Sequence, residues 1–256
     1  MKNCIILGSG RSGTSMVTGA LAQAGYFMGN RPTPATTRAQ ESNPKGQYED
    51  LEINEINEII LDLVVPKRPW LLGKFCFRDR PIKWQRWLAR VPLDTQIPSP
   101  LTATKRIELL TQTQPFCFKD PRFSYSLPVW RPHLKNVVFI CVFRDPASTA
   151  QSILKQSKFA NHLRDFSINF DQALEMWALM YQHILEIHSQ EGEWLFLEYN
   201  QVLTEEGLEK LENFTRAKVD RTFPDGSIRR TKSFAKVPEP VQEIYQKLCI
   251  AANYKL

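Results

Sequence analysis

Ile5-Ile6-Leu7-Gly8-Ser9-Gly10-Arg11-Ser12-Gly13-Thr14-Ser15 is the stretch whose reading sets the fold. Three apolar residues in a row read as a short buried strand and the glycines after them as a tight turn. Met16, Val17, Ala20, Leu21 and Ala24 recur at helical spacing, which predicts a helix from about Gly13 to Gly25. Strand, glycine-rich turn, helix is the context in which backbone N–H groups and a helix N-terminus hold a phosphate. The stretch is similar to the phosphate-loop pattern GxxxxGK(S/T), with Thr14 at the lysine position. The competing reading is plainer: glycines and hydroxyls at such a junction can serve only to turn the chain and cap the helix.

Outward from this unit, strand and helix patterns alternate. Residues 31 to 47 carry Pro32, Pro34, Pro44 and Gly46 among polar residues and read as a long surface loop, and such loops in α/β folds often serve function. Leu51 to Val65 reads as a helix. Phe116 to Phe118 form a second strand ending at Lys119-Asp120-Pro121-Arg122, and Val137 to Phe143 a third, ending at Arg144-Asp145-Pro146. Asp145 is placed to cap the next helix, with Pro146 at its first position, where the missing N–H costs nothing. Leu174, Trp177, Ala178, Tyr181, Leu185 and His188 mark an amphipathic helix, Trp194 to Leu197 a fourth strand, and residues 208–214 and 241–248 two further helices. The pattern predicts an α/β fold, a P-loop-type parallel sheet flanked by helices on both faces, with ligands at the carboxyl ends of the strands.

The chain has 256 residues and is 43% hydrophobic, enough for one substantial core, so a single domain over 1–256 is expected. A formal charge of +6 favours an anionic ligand, but the basic residues are scattered, so no nucleic-acid groove is expected. The five cysteines form no CxxC pair, which argues against a zinc site or a disulfide framework. No window reaches the apolar length of a membrane span, and the opening residues do not form a signal peptide, so the expected location is cytoplasmic. Residues 66–112, with Trp70, Phe75, Trp84 and Trp87, are either a lid or acceptor-binding insertion or ordinary packing.

The stretch GSGRSGTS resembles the 5′-phosphosulfate loop of the sulfotransferases that use 3′-phosphoadenosine 5′-phosphosulfate (PAPS), in the bacterial-type branch carrying RSGTS. The resemblance implies that Gly10, Arg11, Ser12, Gly13, Thr14 and Ser15 grip the 5′-phosphate, with Arg11 on the leaving phosphate and sulfuryl oxygens. Arg144 with Ser152 eight residues on is similar to that family's 3′-phosphate segment. Ser152 lies about two helical turns along, at about 1.5 Å per residue, where its hydroxyl can face the same phosphate as the forked guanidinium. Lys119-Asp120-Pro121-Arg122 looks like the KDPR segment of bacterial members. Gly226-Ser227-Ile228-Arg229-Arg230 is similar to the basic loop closing over the nucleotide, so Arg229 or Arg230 is a further candidate for the 3′-phosphate. Leu195 to Asn200 resembles a strand ending in a YEDL-type sequence but reads EYNQVL, which leaves Glu198 without an assigned role.

Sulfuryl transfer demands an in-line geometry, neutralisation of the leaving phosphate and removal of the acceptor proton. Arg11 and Lys119 are the candidate cations, Lys119 either assisting Arg11 or pairing with Asp120. Asn43 to Glu49 looks like the NPKGYxE segment of bacterial members and makes Glu49 the first candidate base, its pKa raised if the site is closed and apolar. The alternative for Glu49 is a first-turn glutamate of the next helix. His162 is the alternative base, while His133, His183 and His188 read as structural. The donor implied is PAPS, leaving adenosine 3′,5′-bisphosphate, without a metal. The acceptor stays open among small molecules, carbohydrates and lipids, and oligomeric state is not encoded in any pattern found. Two rivals stand beside this reading. One is a P-loop small-molecule kinase, which predicts a lysine at position 14 and an acidic metal ligand that Asp145 could imitate; the other is a non-catalytic nucleotide-binding module.

Overall fold

The computed structural model describes residues 1–32, 45–71, 76–228 and 231–255. Four parallel strands form the sheet: β1 (Asn3–Leu7), β2 (Cys117–Lys119), β3 (Val137–Phe143) and β4 (Glu193–Glu198), in the order β2-β1-β3-β4. Register follows from Cys4 opposite Cys117 and Val138, and from Ile140 opposite Leu195. The chain moves from β1 to β2 on one side and to β3 on the other. The point where the order reverses therefore lies at the carboxyl end of β1, where such sheets open a crevice.

Side chains of a strand alternate between faces, and here the alternation separates two cores. Cys4, Ile6, Cys117, Val138, Ile140 and Val142 pack with Val17, Leu21, Leu208 and Leu211. These last four lie on α1 (Thr14–Leu21) and α7 (Glu205–Thr215). Ile5, Leu7, Phe118, Phe139, Cys141 and Phe143 face the larger core, filled by Trp130, Trp177, Tyr181 and Tyr245. It is closed by α2 (Leu51–Asp62), α3 (Leu101–Thr111), α4 (Phe123–Trp130), α6 (Phe170–Gln182) and α8 (Glu239–Ala251). Helices thus cover both faces, as expected. The last of the eight α-helices among the described residues, α5 (Pro146–Phe159), leaves β3 through the Asp145 cap, whose Oδ1 accepts from Ser148 N at 2.7 Å.

Helix boundaries depart from the sequence reading, α2 ending at Asp62 rather than Val65. The first helix stops at Leu21 and tightens into a 3₁₀ turn, Ala22–Ala24, ending at Gly25 in the left-handed region. The long helix reaches only Gln182 and then widens into a π turn, His183–Ile187. There His183 Nε2 meets Val91 O and His188 Nε2 meets Ser124 O, each at 3.0 Å. Each histidine engages the carbonyl of a buried residue, and burial holds His188 down to about 4. His133 lies beside Glu108, Nδ1 to Oε1 at 3.4 Å.

Gly8 begins the turn after β1 at φ +130°, and a Cβ there would lie 2.2 Å from Val142 O. Gly8→Ala combines a backbone region closed to other residues with a clash against a strand that cannot retreat. It is expected to cost about 3 kcal/mol or more in urea denaturation.

Candidate active site

The turn from Gly8 to Gly13 wraps over the carboxyl end of β1, with Arg11 at φ +69° and Gly13 at φ +99°. Two further glycines are set by close neighbours. A Cβ on Gly10 would lie 2.6 Å from the Trp87 ring, and one on Gly13 2.8 Å from the Tyr199 ring. Gly13 is also the N-cap of α1 and offers no side-chain acceptor to the first-turn amides. Ser12 Oγ is buried without a hydrogen-bond partner. Uncapped helix amides and an unsatisfied buried hydroxyl on a positive-φ turn suit a phosphate, which has oxygens for both.

The second predicted segment meets the first. Arg11 Nε donates to Ser152 Oγ at 3.2 Å, tying the glycine turn to α5. Arg144, at the end of β3, lies with its guanidinium carbon 4.8 Å from the centroid of Tyr199, the ring that backs Gly13. Arg144 also donates to Thr231 O, and Ser233 N donates to Ser148 Oγ at 3.1 Å, so the backbone of residues 231–233 closes against this corner. Arg229 and Arg230 lie outside the described residues, as do Asn43 and Pro44 of the segment leading to Glu49.

Beside the turn is a cleft of about 730 Å³, counting its open mouth. Gly10, Arg11, Thr14 and Ser15 line one side, and Glu49, Lys119, Arg122 and His162 are among the residues facing them. Lys119 is buried and donates to Glu49 Oε1 at 2.6 Å and to Ser15 Oγ at 3.4 Å. Asp120 pairs instead with Arg122, whose Nη1 lies 2.8 Å from both carboxylate oxygens. Of the two roles read for Lys119, pairing with Asp120 is therefore replaced by a place in the cleft.

Glu49 stands one residue ahead of the α2 cap rather than in its first turn. Asp50 is the cap, accepting from Glu52 N and Ile53 N at 2.8 and 3.2 Å. The expected rise in the Glu49 pKa is reversed. Burial, the largest influence, pushes it up, but Lys119 and Arg122, with hydrogen bonds from Lys119 and Asn54, bring the net shift below the ordinary carboxylate value. His162 is also held below its ordinary value, first by burial and then by the Arg122 charge. A carboxylate paired to lysine and a neutral imidazole thus share one cleft.

Behind this wall runs a buried chain of charges. Glu58 accepts from Arg122 Nε at 3.0 Å and from Arg86 Nη1 at 2.6 Å, and Arg86 also pairs with Asp62. Arg86 belongs to the 66–112 segment, so this chain locks that segment to the Lys119–Arg122 turn. Removing one partner from such a buried set costs about 3–5 kcal/mol. Trp84, Gln156 and Tyr199 were not singled out as site residues from sequence. Gln156 had a signal available, since it follows Ser152 by one helical turn on the same face of α5.

A four-stranded parallel sheet flanked by helices, with a glycine turn at its switch point, defines an α/β protein whose crevice opens at the carboxyl end of β1. Residues 4–210 match the model of the sulfotransferase family, and the chain belongs to that family. It is similar in fold to the sulfotransferase domain from the curacin biosynthetic pathway (16% identity, TM-score 0.56), the alignment covering 100% of this chain and 98% of that one. The sulfotransferase domain of the Synechococcus PCC 7002 olefin synthase aligns at 15% identity and TM-score 0.54, over 100% and 97% of the two chains. Sulfotransferase STF9 from Mycobacterium avium aligns at 15% and 0.51, over 100% and 78%. No curated protein matches the chain. Among the described residues no helix is long and apolar enough to cross a membrane, and no group of three or more His, Cys, Asp or Glu could hold a metal ion.

Proposed function

We propose that this sulfotransferase takes its sulfuryl group from PAPS and delivers it in line to an acceptor hydroxyl or amine. The observation that carries the reading is the meeting of two phosphate-type segments, Arg11 Nε on Ser152 Oγ at 3.2 Å, beside a cleft that holds Lys119 and Glu49. The turn from Gly10 to Ser15 takes the 5′-phosphate, and Arg144 with Ser152 the 3′-phosphate. Arg11 and Lys119 neutralise the bridging oxygen as its bond to sulfur breaks. Glu49 accepts the proton of the acceptor as the new bond to sulfur forms, and adenosine 3′,5′-bisphosphate leaves. Transfer of Lys119 from Glu49 to the donor would free that carboxylate to act. Asp145 spends an oxygen on the α5 cap, which disfavours the kinase reading in which it would hold magnesium. The five free cysteines, four of them buried, fit a reducing compartment and hence a cytoplasmic location.

The test compares adenosine 3′,5′-bisphosphate with ATP plus magnesium by thermal shift. At 100 times its Kd the bisphosphate adds about 2.7 kcal/mol, roughly 5–10 °C in Tm for a chain of this size. Arg144→Ala is expected to lose most of that gain. A larger response to ATP would reject the reading.

A further inference from the structure

Besides the glycine turn and the charged groups, the cleft is lined by two indoles and three amides: Trp84, Trp87, Gln47, Asn54 and Gln156. Trp87 is committed to the fold, its ring filling the space against Gly10. Trp84 is not. It is half-buried, its backbone sits in the left-handed region at φ +70°, and Lys83 Nζ lies 5.0 Å from its ring centroid. A bulky residue held at positive φ costs of order 1–3 kcal/mol and is found where a side chain must be aimed.

The amides supply a second observation. Asn54 Nδ2 donates to Glu49 Oε2 at 3.1 Å, and because a carboxylate only accepts, the orientation of that amide is fixed. Asn54 Oδ1 is then left buried without a hydrogen-bond partner, and so is Gln156 Oε1. A buried unsatisfied acceptor costs about 1–3 kcal/mol, so two lining one cleft call for a ligand that brings several donors. A small turn of each side chain would present these oxygens to it. A phenol or a long-chain alcohol has one hydroxyl, which the reaction itself consumes. A sugar ring has a C–H face to lay on an indole and a row of neighbouring hydroxyls along its edge.

Resting on the proposed sulfuryl transfer, we propose that the acceptor is a carbohydrate. A pyranose ring stacks on Trp84, its reacting hydroxyl faces Glu49, the next hydroxyl donates to Asn54 Oδ1, and another donates to Gln156 Oε1. The acceptor O–S bond forms as the donor's bridging O–S bond breaks, and the hydroxyl proton goes to Glu49. Electron count and charge balance without a further reactant.

The experiment uses the full chain with PAPS and three kinds of acceptor. These are pyranosides of gluco, galacto and manno configuration with their N-acetylamino and uronic forms, 4-nitrophenol, and dodecanol. Bisphosphate release and sulfated product are measured together, and binding of the bisphosphate is measured separately by thermal shift. Transfer to at least one pyranoside is expected at ten or more times the kcat/KM of the phenol or alkanol. Trp84→Gly keeps the positive-φ turn, since glycine adopts it without strain, and is expected to raise the pyranoside KM roughly tenfold with the bisphosphate shift unchanged. Gln156→Leu, on a half-buried helix position, is expected to raise it in the same direction and serves if the first variant folds poorly. Transfer to the phenol or alkanol instead, or to no pyranoside, while the bisphosphate still binds, overturns the carbohydrate proposal and leaves the donor reading standing. Loss of bisphosphate binding in the unmodified protein overturns the donor reading beneath it.

Discussion

Arg11→Ala is expected to lower kcat/KM for sulfuryl transfer by about 10²–10³, the usual loss when one charge-stabilising donor is taken from a developing oxyanion. The substitution is clean in one respect: Arg11 already occupies φ +69°, so alanine inherits the same backbone geometry without a new side-chain clash. It also removes the donor to Ser152 Oγ, which frees that hydroxyl to keep serving the 3′-phosphate. Binding of the bisphosphate is therefore expected to fall far less than turnover, because the sulfuryl oxygens are absent from the product. Single-turnover rates with saturating donor separate the two effects. Equal losses in bisphosphate affinity and in rate would assign Arg11 to binding alone.

The second large effect is expected at Glu49. Glu49→Gln keeps the size of the side chain and its hydrogen bonds to Lys119 or Asn54 but removes the proton acceptor, so turnover is expected to drop by about 10²–10⁴ with bisphosphate binding retained. The pH profile then distinguishes the two candidate bases. The Glu49 carboxyl is held below its ordinary value, so its charged form and the stability of its ion pair with Lys119 are present above the unfolded pKa. Both are lost only as pH falls through the lowered value. If Glu49 is the base, kcat/KM stays level through pH 6 and its acid limb lies beneath the ordinary glutamate range of about 4.3. If His162 is the base, the limb lies nearer to, but still under, the ordinary imidazole value of about 6.5, since burial and Arg122 lower it. A limb in the imidazole range that survives in Glu49→Gln would transfer the role to His162.

The sheet was legible in the sequence because buried parallel strands are continuous apolar runs. Ile5 to Leu7 and Val137 to Phe143 have few other readings once a glycine turn or an Asp-Pro start follows them. The glycine turn was legible as a local pattern, since strand, turn and helix follow one another directly in the chain. What lay beyond reach were pairings made by the fold. Lys119 meets Glu49 across 70 residues of chain, and nothing near either one foretells it. Their meeting is also why the raised Glu49 pKa was the wrong expectation, since burial had been considered without the cations that accompany it. Trp84 shows the same limit at the backbone. Its neighbours Lys83 and Gln85 carry no turn signal for its positive φ, and Gln85 is held by a contact 77 residues away, Nε2 to His162 O at 2.8 Å.

The match to the sulfotransferase family stops at residue 210, yet the chain keeps building after it. Phe223 fills the space a Cβ on Gly19 would need, and Tyr245 lies 6.0 Å from Phe143 and 6.3 Å from Trp177, ring centre to ring centre. A fragment trimmed to the recognisable region would strip the cover from the end of β3 and leave those aromatic surfaces facing water. For this protein, the border of sequence likeness is a poor place to cut, because side chains beyond it pack against α1, β3 and α6.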